Sequence, residues 1–197
     1  MSKVKVAVLI DGGYTRKLAQ REQIPYNPDY IEKIAQACVS EDETALRYLY
    51  YDCAPYRGTV KLPVSGQDHT FDKPDAWLHA LAKKDLFAIR RGVLKFRGWN
   101  PKTIPVQPKV MTDKDFTPNF EQKGVDMRIG LDVATYSTSR LVDRLILLSG
   151  DTDCIPAMKL ARISGVQIVL VTFPKRPVSG ELLAHCDFCR EVLWPKP

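Results

Sequence analysis

Val4-Lys5-Val6-Ala7-Val8-Leu9-Ile10 runs directly into Asp11-Gly12-Gly13. A short apolar, β-rich run closed by an aspartate and two glycines has the form of a buried strand entering a turn. Leu145-Ile146-Leu147-Leu148 is a second such run, bounded by Ser149-Gly150 and followed by Asp151-Thr152-Asp153. Ala45 to Tyr51, Phe87 to Phe96 and Val166 to Val171 read as further strands. Between them lie helical spacings: a loose one after Gly13, then Pro28 to about Val39 with Ile31, Ile34, Ala35 and Cys38 on one face. Pro74 to about Lys84, Gly124 to Ser137 and Thr152 to Ser164 complete the set, with Gly165 as the last stop. Near-continuous apolar strands alternating with helices predict an α/β fold of three α/β/α layers around a central, mainly parallel sheet. The 197 residues suffice for one domain, 1–197, with a sizeable core of its own.

Two segments fall outside this alternation. Cys53 to Lys73 is rich in turn residues. Arg97 to Phe120 carries Pro101, Pro105, Pro108 and Pro118 with little periodicity, and reads as a long loop within a basic insertion at about 97–123. The chain has 29 Lys and Arg against 23 Asp and Glu, a net charge of +6. Nine basic residues and four acids lie between Arg90 and Arg128, so this stretch supplies five of the six surplus charges. Arg97, Lys102, Lys109, Lys123 and Arg128 are its candidate contacts to an anionic partner; a merely solvated basic loop is the other reading.

No apolar run approaches the ~18 residues needed to cross a bilayer, which argues against a membrane partner. Five cysteines at scattered spacing fit reduced thiols in a cytoplasmic protein better than a disulfide framework. Cys186-x-x-Cys189 lacks the further ligands of a structural zinc site. His69, His79 and His185 are dispersed, and neither G-x-G-x-x-G nor a phosphate-binding P-loop occurs.

In open α/β sheets ligands bind beyond the carboxyl ends of the strands. Asp11 follows the first strand, Asp151 and Asp153 follow the Leu145 to Leu148 strand, and Asp126 lies in the first turn of the Gly124 helix. Singly, each has a structural use as a turn former, helix cap or solvated acid. Gathered within a few Å they would repel by roughly 4 kcal/mol per pair at an effective dielectric of 20. Either shared protons or a hard divalent cation, magnesium or manganese, must compensate. Magnesium pairs with phosphate oxygens, so an all-aspartate site in a basic protein points to phosphodiester chemistry.

The same residues carry a resemblance. Val8-Leu9-Ile10-Asp11-Gly12, Lys123-Gly124-Val125-Asp126 followed by Asp132, and Leu147-Leu148-Ser149-Gly150-Asp151-Thr152-Asp153 resemble the three signature blocks of NYN domains, the LabA-like branch of the PIN-like nucleases. Ala161-Arg162 with Gly165-Val166, and the Ala184 to Phe188 stretch with Asp187, are similar to that branch's C-terminal pattern. The resemblance implies a PIN-like fold and ribonuclease activity with magnesium or manganese held by Asp11, Asp126, Asp151 and Asp153. Asp132 matches a frequent family acid, although six residues along a helix place it about 120° around the axis from Asp126. With Ser149 and Thr152 it makes a secondary set beside the pocket. Tyr14 stands where many members have asparagine, and Cys154 where phenylalanine is common.

The expected function is thus a metal-dependent RNA endonuclease acting on single-stranded or structured RNA, with a homodimer an open option. A non-catalytic RNA-binding or regulatory module that retains the acidic pocket is the alternative. A haloacid-dehalogenase-like phosphatase would need its D-x-D after the first strand, whereas Asp151-Thr152-Asp153 comes late in the chain.

Overall fold

Strand β1 (Val4–Asp11) is buried on both faces because alternate side chains enter different cores: Val6, Val8 and Ile10 one, Ala7 and Leu9 the other. The computed structural model describes residues 3–104 and 110–196. Asp11 caps helix α1 (Gly12–Arg21), its side chain accepting from the Tyr14 N–H. Asn27 does the same for α2 (Pro28–Ala37), whose Pro28 occupies the first turn where its missing N–H costs nothing. Strand β2 (Glu43–Cys53), a hairpin of β3 (Arg57–Lys61) and β4 (Asp68–Asp72), helix α3 (Ala76–Ala82), and strands β5 (Phe87–Pro101) and β6 (Phe116–Lys123) follow. Helix α4 (Val125–Thr138), β7 (Arg144–Leu148), α5 (Ile155–Ile163), β8 (Gln167–Thr172), α6 (Gly180–Ala184) and β9 (Phe188–Glu191) complete the chain.

The main sheet has seven strands in the order β6-β5-β2-β1-β7-β8-β9, parallel except for β6. Leu18, Tyr30, Ile31, Ile34, Leu78 and Leu81 of α1, α2 and α3 cover one face. Val125, Ile129, Val133, Met158, Ala161 and Leu182 of α4, α5 and α6 cover the other. This is the expected α/β fold of three layers, and its topology sets the site. The chain moves outward from β1 through β2 and β5 to β6, then returns beside β1 at β7 and moves the other way. That reversal opens a crevice at the carboxyl ends of β1 and β7, where Ile10 pairs with Leu148 and so sets Asp11 next to Ser149.

The expected long loop at 97–120 is corrected. Strand β5 continues to Pro101 and pairs antiparallel with β6, with a register irregularity between Phe96 and Trp99. Sheet-edge position explains why Pro118 is tolerated in β6, since an edge strand leaves one side of its backbone unpaired. The turn-rich Cys53 to Lys73 segment likewise holds the β3-β4 hairpin. Tyr56, His69 and Phe71 from that side meet Phe96, Trp99 and Phe120 of β5 and β6, with ring centroids 5.3–6.2 Å apart. The Trp99 indole N–H donates to the Lys61 carbonyl at 2.8 Å, and Asp113 accepts from the Val64 and Ser65 N–H groups. Those aromatics form a partly buried cluster between two hairpins. Lys109 lies outside the described residues.

Candidate functional site

Three segments distant in sequence deliver carboxylates to one crevice. Asp11 arrives at the end of β1, half-buried, with Oδ1 accepting from the Tyr14 N–H at 3.0 Å and Oδ2 from Ser149 Oγ at 3.3 Å. Ser149 is fully buried between strand and turn, and its Oγ also accepts from the Asp151 N–H at 3.1 Å. Asp151 caps a single 3-10 turn, Thr152–Cys154, by accepting from the Asp153 N–H at 2.9 Å. One hydroxyl therefore ties the first acid to the backbone of the second.

Asp126 is delivered by a sharp junction. Gly124 adopts φ +76° between β6 and α4, a left-handed conformation that favours glycine, and Arg128 donates back to its carbonyl at 2.8 Å. The helix consequently starts at the crevice, with Asp126 in its first turn. Asp11, Asp126, Asp151 and Thr152, with Gly13, Tyr14, Lys17, Gln122, Val125 and Gly150, line a cleft of about 370 Å³.

The acids sense one another. Burial raises the Asp11 pKa above the ordinary carboxylate value, its hydrogen bonds from Tyr14 and Ser149 partly oppose this, and Asp126 and Asp52 add to it. Asp126 is raised first by desolvation and then by the charges of Asp151 and Asp153. Asp153 is exposed and acts on Asp126 through its charge, outside the cleft lining. Among the described residues no three Asp, Glu, His or Cys groups already form a set able to hold a metal ion.

Other sequence candidates stand elsewhere. Asp132 does not line the cleft: Arg90 donates to it at 2.6 and 3.2 Å, and the buried Tyr51 hydroxyl at 2.8 Å. Arg97 and Lys123 both pair with Glu121, Lys102 is exposed, and Arg128 is the cap of the Gly124 junction. Cys186 and Cys189 are free thiols.

Sequence reasoning missed Asp52, Lys17 and Gln122. Asp52 is 1% exposed and accepts from Arg16 at 2.5 and 3.3 Å, Tyr50 at 3.1 Å, the Cys53 N–H at 2.8 Å and Gln122 at 3.1 Å. This fully bonded acid lies behind the crevice, near enough to raise Asp11. Its signal was available, since it follows the apolar Tyr48 to Tyr51 run as Asp11 follows Ile10.

A parallel sheet with a carboxylate-lined cleft at its topological switch point is the architecture of the PIN-like nuclease superfamily. The chain belongs to the NYN domain family, whose model matches residues 5–192. A crystal structure of a protein of unknown function from Vibrio parahaemolyticus RIMD 2210633 shares the fold, with a TM-score of 0.57 at 16% identity. The match covers 96% of this chain and 93% of that one. No curated protein sequence matches the chain significantly.

Proposed function

We propose that the chain is a metal-dependent nuclease that hydrolyses RNA endonucleolytically, with Asp11, Asp126, Asp151 and Asp153 as its functional acids. The observation that carries the reading is the convergence of Asp11, Asp126 and Asp151, from three separate segments, on one cleft. NYN domains are nuclease-like, which implies a nucleic-acid substrate and, as is typical of the superfamily, a divalent metal.

The donor set fits a hard cation. Mutually repelling carboxylates with raised pKa values gain from a divalent ion, and magnesium or manganese needs only one or two of them because it keeps waters. Such an ion, when bound, supplies charge neutralisation at the phosphate and a water of lowered pKa. One or two of Asp11, Asp126 and Asp151 would hold it, water filling its other positions, with Asp153 adding charge from the rim. Ser149 fixes the Asp11 carboxylate by donating to it, and the capped turn fixes Asp151. Thr152, at the cleft surface, is placed to donate to a phosphate oxygen. Among the described residues no helix is long and apolar enough to cross a membrane, and the five free thiols suit the reducing cytoplasm, where we place the protein.

The test is cleavage of end-labelled RNA, single-stranded and structured, with magnesium, manganese or EDTA, by wild type and Asp151→Asn. Cutting within the strand, lost in EDTA and in the variant, is the expected result. Cutting that survives Asp151→Asn overturns the assignment, and RNA binding without cutting replaces it with a regulatory RNA-binding module.

A further inference from the structure

Helix α1 sends two more side chains to the cleft, and neither has a role yet. Tyr14 and Lys17 are three residues apart, the spacing that puts side chains on one face of a helix, and both line the cleft. Among the described residues lining it, Lys17 is the one cation. It makes no ion pair or hydrogen bond with a described residue, whereas Arg16, Arg90, Arg97, Lys123 and Arg128 nearby in sequence or fold are all engaged. The Tyr14 ring is wedged against the turn after β7: a Cβ added at Gly150 would stand 2.5 Å from its Cε2. Its hydroxyl has no hydrogen-bond partner among the described residues.

Charge then decides what this pair can hold. Among the described residues Lys17 is the one cationic side chain lining the cleft and is held by no carboxylate, so its ammonium is open to an anion that reaches the cleft beside the acids. A free ammonium beside an unpartnered phenol is a point-charge donor and a directional donor, the combination that suits a phosphate oxygen. We propose that Lys17 and Tyr14 form a subsite for a second phosphate of a polynucleotide, the one adjoining the phosphodiester held at the carboxylates. The inference rests on the nuclease reading above and narrows it: the preferred substrate has at least two successive phosphates. A dinucleotide with a single phosphodiester leaves the subsite empty.

The test separates the two ideas. Binding of fluorescein-labelled oligoribonucleotides, one dinucleotide with a single phosphodiester and one hexanucleotide, is measured in magnesium by anisotropy in an Asp151→Asn background. Lys17→Met, Lys17→Arg and Tyr14→Phe are added to that background. In parallel, RNA cleavage by wild type and Asp151→Asn reports on the nuclease reading itself. Lys17→Met should weaken hexanucleotide binding about tenfold and Tyr14→Phe about threefold, the scale of a charged and a neutral hydrogen bond. The dinucleotide affinity should stay unchanged, Lys17→Arg should restore most of the hexanucleotide affinity, and the Lys17→Met salt slope should shrink by about 0.7. Equal losses for both ligands, or none, overturn the subsite; wild-type cleavage in the parallel arm would then leave the nuclease reading standing. If wild type neither cuts nor binds, both fall together.

Discussion

The Gln122 side-chain amide donates to Asp52 at 3.1 Å, joining the edge strand β6 to the end of β2 behind the crevice. Gln122 also lines the cleft, and its Oε1 stands 3.0 Å from where a Cβ on Gly13 would be. The wall of the site is therefore built on a buried carboxylate whose five hydrogen bonds come from Arg16, Tyr50, Cys53 and Gln122.

Asp52→Asn should thus be a stability mutation before it is an activity mutation. Removing the charge leaves the Arg16 guanidinium half-buried without its anion and turns an acceptor into a donor facing other donors. Breaking a buried pair of this kind costs about 3 kcal/mol, a fall of roughly 6–12 °C in the melting midpoint for a chain of this size. Thermal unfolding by circular dichroism checks it. A shift under about 2 °C would mean that Arg16 and Gln122 find water as readily as they find Asp52.

Asp126→Asn should do the reverse. Asp126 is raised by burial and then by Asp151 and Asp153, so its charge works against the fold when no cation is present. In EDTA the variant should melt above wild type; with manganese added, wild type should gain stability and the variant should gain less. Equal responses to manganese in both proteins would show that Asp126 takes no part in holding the ion.

Asp132→Ala tests an acid that the family pattern highlights and the fold places elsewhere. Its carboxylate satisfies the buried Tyr51 hydroxyl and the Arg90 guanidinium. Losing it should cost about 2 kcal/mol by leaving the Tyr51 donor unsatisfied. RNA cleavage at a temperature where the variant is folded should keep its wild-type rate. A large loss of rate without a loss of stability would place Asp132 in the chemistry instead.

Legibility in the sequence followed how local each signal is. Strands β1 and β7, and helices α2 and α4, declare themselves through apolar periodicity and caps, and the order of those elements predicts the parallel sheet. Strand β6 does not, because Phe116-Thr117-Pro118-Asn119-Phe120 acquires its meaning only when paired with β5 and packed under Tyr56 and Phe71. Gln122 was invisible for the same reason, and Lys17 because an exposed lysine on a helix has no distinguishing neighbour in sequence. Asp132 differs: its helical offset from Asp126 already set it apart, and Arg90 supplies the physical reason for its presence.

Glu43 sets how the fold responds to acid. Its side chain is buried at the start of β2 and accepts from Arg144 at 2.6 Å, from Arg190 at 2.8 and 2.9 Å, and from the Ser40 N–H at 2.8 Å. Burial alone would raise its pKa, but the Arg190, Ser40 and Arg144 hydrogen bonds outweigh it and bring the value down to about 2. A carboxyl with a lower pKa in the folded than in the unfolded chain stabilises the fold above the unfolded value, 4.5, and loses that contribution as pH falls toward 2. The whole effect is about 3 kcal/mol. Urea unfolding of wild type should therefore show stability falling by about 2 kcal/mol more than that of Glu43→Gln between pH 6 and pH 3. The variant should also be the less stable protein at pH 6, by an amount that narrows with acid. Parallel pH curves for the two proteins would assign the acid response to other carboxylates and leave the Glu43 cluster as a packing feature only.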